Sequence, residues 1–332
     1  MEGWGVVMES GRNVGPDMKY ITEIQDMERK ISFDDLKKAV DEAYELNKSI
    51  SGGASDPRVP AVKANTFGIS VMLTDGRTVD KADADVPAPL GNIARVPVSV
   101  ALFSQTSPDK LLANVRCGCG CKDVKGLKHE VPFSLKTLRA ISAVEPHNDP
   151  EGKYGIIYTQ LASMTTGEAL LSDALLETLK AQADSSKALD KIAEAGFALY
   201  DDPAISLNTY LRLEALQLTT KQLAALGATI AADGRNPLTG EYAFDGTLAT
   251  PVVTLMATGK HRRPWLMTVG LPVAKSFSGA MLAVLPGFGA IAVYSPEVDE
   301  RGLSVKGAKA IAHIAKKLGL NVFASARVSV DK

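Results

Sequence analysis

Four places in the sequence combine residue types that can do chemistry with a spacing that could bring them into play. The first is Cys117, Cys119 and Cys121 in RCGCGCKD. A metal site needs about four ligands, and His129 could add one, but C-x-C-x-C is not a standard zinc spacing. An odd, clustered set of cysteines is not a disulfide framework either. The triplet reads as a reduced loop without a metal. The second is His261, set in Lys260-His261-Arg262-Arg263. Neighbouring cations disfavour the imidazolium, which would leave a neutral base in a loop attractive to anions. The third is Lys275 beside Ser276 in LPVAKSFSG, where strand alternation lets only one of the two face a given pocket. The fourth is PAPLGNIARVPVS (87–99), which follows a hairpin and opens a helix. Enzymes that attack carbonyl groups often place a nucleophile at such a point. Here it carries Asn92 and Arg95, neither a nucleophile nor a base at neutral pH.

Bulk properties narrow the function classes. A net charge of -1 gives no global attraction to nucleic acid or to an anionic membrane surface. No run approaches the roughly 18 apolar residues that would span a bilayer. The first residues lack a basic-then-apolar signal pattern, so the expected setting is the cytoplasm. Gly287 and Gly289 read as turn residues, not a phosphate loop, because no helix follows them. No cofactor is expected.

Elements that could position these residues are segregated along the chain. SFDDLKKAVDEAYELNKS (32–49) reads as a helix capped by Ser32. FGISVML (67–73) and RTVDKAD (77–83) flank a T-D-G turn and read as a hairpin. From about 90 to 260 the patterns are mostly helical, the best formed being TTKQLAALGATIAADG (219–234) with Thr219 and Gln222 at capping-box spacing. Short apolar runs at 265–271, 279–286 and 289–295 read as strands. The last helix, 303–319, is expected to turn Val305, Ala308, Ala312 and Ala315 inward and its lysines outward. A lone hairpin is marginal in water, so the early hairpin and late strands should share one antiparallel sheet. The helical middle is then an inserted lobe, and the seam between lobes is where a site is expected.

Several motifs carry a family resemblance: ALGATIAADGRNPLTGE (225–241), VGLP (269–272), AVLPGFGAIAVYSPEVDERGLSVKG (283–307), KKLGLNVF (316–323), and FGISVMLTDGRT with DVPAPLGNIAR (67–78, 85–95). With these the chain resembles the serine-dependent glutaminases from about 32 to 323. The resemblance implies an α/β (α+β) fold of the serine β-lactamase/glutaminase type. Its antiparallel sheet would be built from both chain ends and flanked by helices, with an inserted helical lobe. It also implies an extension over 1–31 and one domain over 32–325, divided into a sheet lobe (32–90 and 260–325) and a helical lobe (91–259). The family oligomerises, so a homodimer or homotetramer is implied.

In glutaminases a Ser-x-x-Lys on the helix after the hairpin attacks the side-chain amide of glutamine. Carried over without gaps, the serine falls on Asn92 and the lysine on Arg95. The amidohydrolase activity implied by the family therefore lacks its usual nucleophile. Two alternatives stay open: a fold kept without catalysis, as in an oligomerising paralogue, or a repurposed pocket. In the second, Asn92 is a hydrogen-bonding group and Arg95 an anion clamp. Further positions follow from the same resemblance. A family asparagine falls near Thr137, and one pocket tyrosine is retained as Tyr210. His261 stands closest to a loop tyrosine, Lys275 and Ser276 match a K-S-G motif, and Arg58 replaces a tyrosine over the pocket. Arg58, Arg95 and the 260–263 cations would together make a basic pocket for a small amino-acid-like or anionic molecule.

Overall fold

The computed structural model describes residues 28–59, 62–63, 65–107, 127, 130–258, 263–324 and 327–331. In chain order these form β1 (Glu28–Ile31), α1 (Phe33–Asn47), β2 (Ala54–Ser55), β3 (Gly68–Leu73), β4 (Thr78–Ala82), β5 (Ala88–Pro89), a 3-10 turn (Gly91–Ala94) and α2 (Arg95–Gln105). The middle holds α3 (Leu135–Ala143), α4 (Pro150–Met164), β6 (Leu170–Leu171), α5 (Asp173–Ser185), α6 (Ala188–Glu194), α7 (Pro203–Glu214), β7 (Leu216–Leu218) and α8 (Thr220–Ala231). The chain continues with α9 (Ala249–Ala257), α10 (Arg263–Val269), β8 (Val273–Lys275), β9 (Ala280–Leu285), β10 (Gly289–Tyr294), β11 (Glu297–Val298), α11 (Val305–Leu318) and β12 (Arg327–Val330).

The main sheet is antiparallel in the order β4-β3-β10-β9-β8, so both chain ends build it. Its central strands are buried on both faces, and the period of two sorts their side chains. Ile69, Val71, Met281, Ala283, Ile291 and Val293 join one core with Leu36, Val40, Ile311 and Ile314 of α1 and α11. Met72, Leu282, Val284, Ala290 and Ala292 join the other core with Leu223, Leu226 and Ile230 of α8. Gly227 lets α8 lie close to the sheet, since a Cβ there would come 2.5 Å from Ala290 Cβ. The predicted caps are present: Ser32 accepts from Asp35 N–H, and Thr219 with Gln222 forms a full capping box.

Four expectations are corrected. Residues 265–271 are not a strand: Arg263–Val269 is helical, with Pro264 in its first turn and Trp265 Nε1 donating to the Leu271 carbonyl at 2.8 Å. A short apolar run has no period that separates helix from strand. The strand begins instead at Val273, after Pro272. The division of lobes at 91 and 259 also fails for α8, which packs on the sheet and contributes its second face. The domain limits at 32 and 325 leave out β1, which pairs in parallel with β12, and Ile31, which is buried. Finally, the inward face of α11 is centred differently: Ala315 is buried as expected and Ala308 and Ala312 pack half-buried against the core, but the buried residues are otherwise Gly307, Ala310, Ile311, Ile314 and Leu318, together with Lys306. Burying isoleucines removes more apolar area from water than burying alanines, and this rotates the face. Among the described residues no helix is long and apolar enough to cross a membrane.

Candidate functional site

The stretch 87–99 folds into a sharp entrance to α2. Strand β5 pairs with β7, and Leu90 N–H donates to the Leu216 carbonyl at 2.7 Å. Gly91 follows at φ +49°, and the 3-10 turn it opens runs directly into α2. The turn is pinned from beneath. Ser276 Oγ and Ser278 Oγ each donate to the Pro89 carbonyl at 2.9 Å. At the tip of this turn Asn92 is exposed, and it lines a cavity of about 420 Å³ with Arg58, Val131, Pro132, Phe133, Ser134 and Phe277.

A buried polar column stands behind Asn92. The Tyr210 hydroxyl oxygen lies 3.2 Å from Asn92 Oδ1 and 2.7 Å from Glu214 Oε1, and Ser134 N–H donates to it at 3.2 Å. Tyr210 and Glu214 are one turn apart on α7, and both are buried. Burial pushes the Glu214 carboxyl up to about 7, while the Tyr210 hydroxyl and Arg58 pull it back down. Burial, together with the nearby Glu214, pushes the Tyr210 phenol well above its usual value.

Arg58 forms another part of the wall. Its Nε and Nη2 donate to the two oxygens of Asp56 at 2.8 and 2.6 Å. Its guanidinium lies over the Phe277 ring, 4.2 Å from the centroid. Burial opposes its charge, but Asp56 outweighs that and holds the guanidinium above its usual value. The cation is therefore held at two points by Asp56 and stacked on Phe277.

The other predicted residues are dispersed. Arg95 leaves the cavity: Nη2 donates to the Leu255 carbonyl at the end of α9 at 2.6 Å, and burial lowers its guanidinium to about 10. It is not the anion clamp it was expected to be, because one turn of helix carries it to the α9 side. Thr137 is buried within α3 and bonds to the Ser134 cap through both its N–H and its hydroxyl. Ser134, three residues earlier, is the one that reaches the cavity. Lys275, the last residue of β8, and Ser276, just after it, take different partners. Lys275 Nζ donates to the Arg301 carbonyl, and Ser276 is buried under the Asn92 turn. His261, with Lys260 and Arg262, lies outside the described residues, as do His129, Cys117, Cys119 and Cys121. Of the three-segment basic pocket, only Arg58 lines the cavity among the described residues.

Sequence reasoning missed Glu214, Ser134 and Phe277. Glu214 did carry a signal: it stands four residues after Tyr210 in the apolar stretch LNTYLRLEALQL, a spacing that stacks the two on one helix face.

Comparison with known proteins identifies the family. A family model described as Glutaminase matches residues 54–323. Curated glutaminases of Parabacteroides distasonis and Bacteroides fragilis are each 28% identical over 324 residues, covering 92% of this chain and 99% of theirs. Among solved structures, probable glutaminase ybaS superposes with a TM-score of 0.76 at 25% identity, over 88% of this chain and 99% of that one. The Bacillus subtilis glutaminase YbgJ, in covalent complex with 5-oxo-L-norleucine, superposes with a TM-score of 0.72 at 22% identity, over 87% and 98% of the two chains. The expected serine β-lactamase-like architecture is the one observed. By the extent of the family match and by its fold, the chain belongs to the glutaminase family.

Proposed function

We propose that the cavity at the Asn92 turn binds a small amino-acid-like ligand whose polar end is a carboxylate or a carboxamide. We propose further that no acyl-enzyme forms at position 92. The observation that carries this reading is an exposed Asn92 and a stacked Arg58 on one cavity wall, with Arg95 bonded to the Leu255 carbonyl. Carrying the family's serine and lysine onto 92 and 95 leaves an amide, which is a poor nucleophile. It also leaves a guanidinium that stays protonated at neutral pH even when lowered to about 10. What remains suits recognition. The carboxamide offers a donor and an acceptor, Arg58 offers a fixed cation, and about 420 Å³ is the size of a small-molecule site.

Calorimetric titration with L-glutamate and L-glutamine tests the reading. Binding that weakens about tenfold or more in both Asn92→Ala and Arg58→Ala supports it, as expected when a hydrogen bond to a charged partner is lost. No binding, or binding indifferent to both substitutions, overturns it.

A second reading is glutamine hydrolysis, favoured by the family match over 54–323. It requires a nucleophile other than Asn92, and Ser134 is the hydroxyl-bearing residue that lines the cavity among the described residues. Ammonia release abolished by Ser134→Ala would select it. In either reading we take the protein to be a cytoplasmic homodimer or homotetramer, and light scattering in solution reads the assembly.

A further inference from the structure

Tyr210 has one hydroxyl proton, and two acceptors lie within reach of it. Glu214 Oε1 is 2.7 Å away and Asn92 Oδ1 is 3.2 Å away, while Ser134 N–H already occupies one lone pair of the phenol oxygen. A phenol offers one donor and two acceptor sites. If the proton goes to Asn92 Oδ1, the contact with Glu214 is a hydrogen bond only when the carboxyl supplies its own proton. If Glu214 is ionised, the hydroxyl proton goes to the carboxylate. The phenol oxygen then faces Asn92 as an acceptor, and the carboxamide must turn over to offer Nδ2. The two orientations of a carboxamide are nearly isosteric, so the turn changes hydrogen bonding and little else. Asn92 is exposed on the cavity wall, so the end that Tyr210 does not hold faces the cavity.

We propose that Glu214, acting through the Tyr210 hydroxyl, sets which end of the Asn92 carboxamide the cavity presents. Protonated Glu214 leaves Nδ2 facing outward, which suits a carboxylate ligand. Ionised Glu214 leaves Oδ1 facing outward, which suits an N–H donor such as a primary amide. Glu214 is thus a positioning residue that biases one site between an acid and its amide. The ligand half of this inference rests on the proposed function; the relay is internal to the chain.

The groups around Glu214 permit both states. Tyr210 lies on its own helix. Arg58, from the segment after β2, favours the carboxylate, and its partner Asp56 opposes it. From the neighbouring elements, Asn92 of the 3-10 turn and Ser134 at the start of α3 are uncharged, and so is Gln182 of α5, which bonds Arg58. Lys153 of α4 is paired with Asp201, and Arg212 turns to Glu151. Burial brings the carboxyl's transition close to neutral pH.

The test is nuclear magnetic resonance on ligand-free protein labelled with ¹⁵N in asparagine and ¹³C in glutamate, titrated through neutral pH. Asn92→Ala assigns the amide. The Asn92 side-chain signal is expected to move in step with the Glu214 carboxyl, and to stop moving in Glu214→Gln and in Tyr210→Phe. An amide that ignores the Glu214 titration, one that moves unchanged in Glu214→Gln, or a Glu214 fixed in one state overturns the proposal. A ligand arm separates the two readings. L-glutamate affinity is expected to fall on the order of tenfold as pH rises through the transition, while L-glutamine affinity does not fall with it. If neither amino acid binds while the amide still turns over, the cavity reading fails and the relay stands. If both bind without regard to pH and the amide stays fixed, the relay fails and the cavity reading stands.

Discussion

Ser276 Oγ donates to the Pro89 carbonyl at 2.9 Å, and this bond fastens the end of β8 to the turn that presents Asn92. The fit above it is tight. A Cβ on Gly91 would come 2.3 Å from Ser276 Oγ and 2.9 Å from the Phe277 ring, at a φ of +49°. Gly91→Ala is therefore expected to cost about 1–3 kcal/mol, read by urea denaturation. It should also weaken ligand binding by displacing Asn92. Adding Ser276→Ala should recover part of the loss, because it removes the atom in collision; a strictly additive double variant would contradict the contact.

Glu214 makes stability depend on pH with a definite sign. Its carboxyl titrates at about 7 in the fold against a usual value of 4.5, so between these limits the folded state holds a proton that the unfolded chain has released. Stability falls as pH rises through that window. Glu214→Gln removes the dependence. Its stability relative to the parent should improve by about 3 kcal/mol between acid and mildly alkaline pH. Denaturation curves at the two ends of the window read this, and a constant difference would contradict a carboxyl raised by burial.

Lys153 and Asp201 are both fully buried and lie 2.9 Å apart. Lys153 also donates to the Ile141, Ser142 and Val144 carbonyls at the end of α3, and Asp201 accepts from Asn148 N–H and from the Ser206 hydroxyl. Lys153→Met leaves the carboxylate buried without its cation. A loss of about 3–5 kcal/mol is expected in thermal or urea unfolding. Lys153→Met combined with Asp201→Asn should lose less than the sum of the single changes.

Arg58 holds its place through a two-point bond to Asp56 and a stack on Phe277. An ammonium reproduces neither geometry. Arg58→Lys is therefore expected to weaken amino-acid binding by about tenfold despite keeping the charge, a loss in the range of one hydrogen bond to a charged group. Calorimetry reads it, and unchanged affinity would remove Arg58 from the site.

The layered fold was legible because its signals are local and periodic: Ser32 and Thr219 as caps, the T-D-G hairpin, and Gly227 in an apolar helix face. The helix at Arg263–Val269 was not, because seven residues are too few for a period and Trp265 is fixed by a contact at Leu271. Of the residues named through resemblance to a family, Asn92 and Arg58 line the cavity and Tyr210 lies behind Asn92. Arg95 does not line it, because helix packing against α9 decides where its guanidinium goes. Glu214 was hidden for the opposite reason: its importance lies in burial, which follows from how α7 packs and not from its neighbours in the chain.

The central claim is that the Asn92 turn binds without performing acyl transfer. Its most direct test is ammonia release from L-glutamine by the purified protein and by Asn92→Ala. No release above a blank from either protein is the predicted result. Release by the parent above the blank would contradict the claim, and its persistence in Asn92→Ala would place the chemistry at another residue.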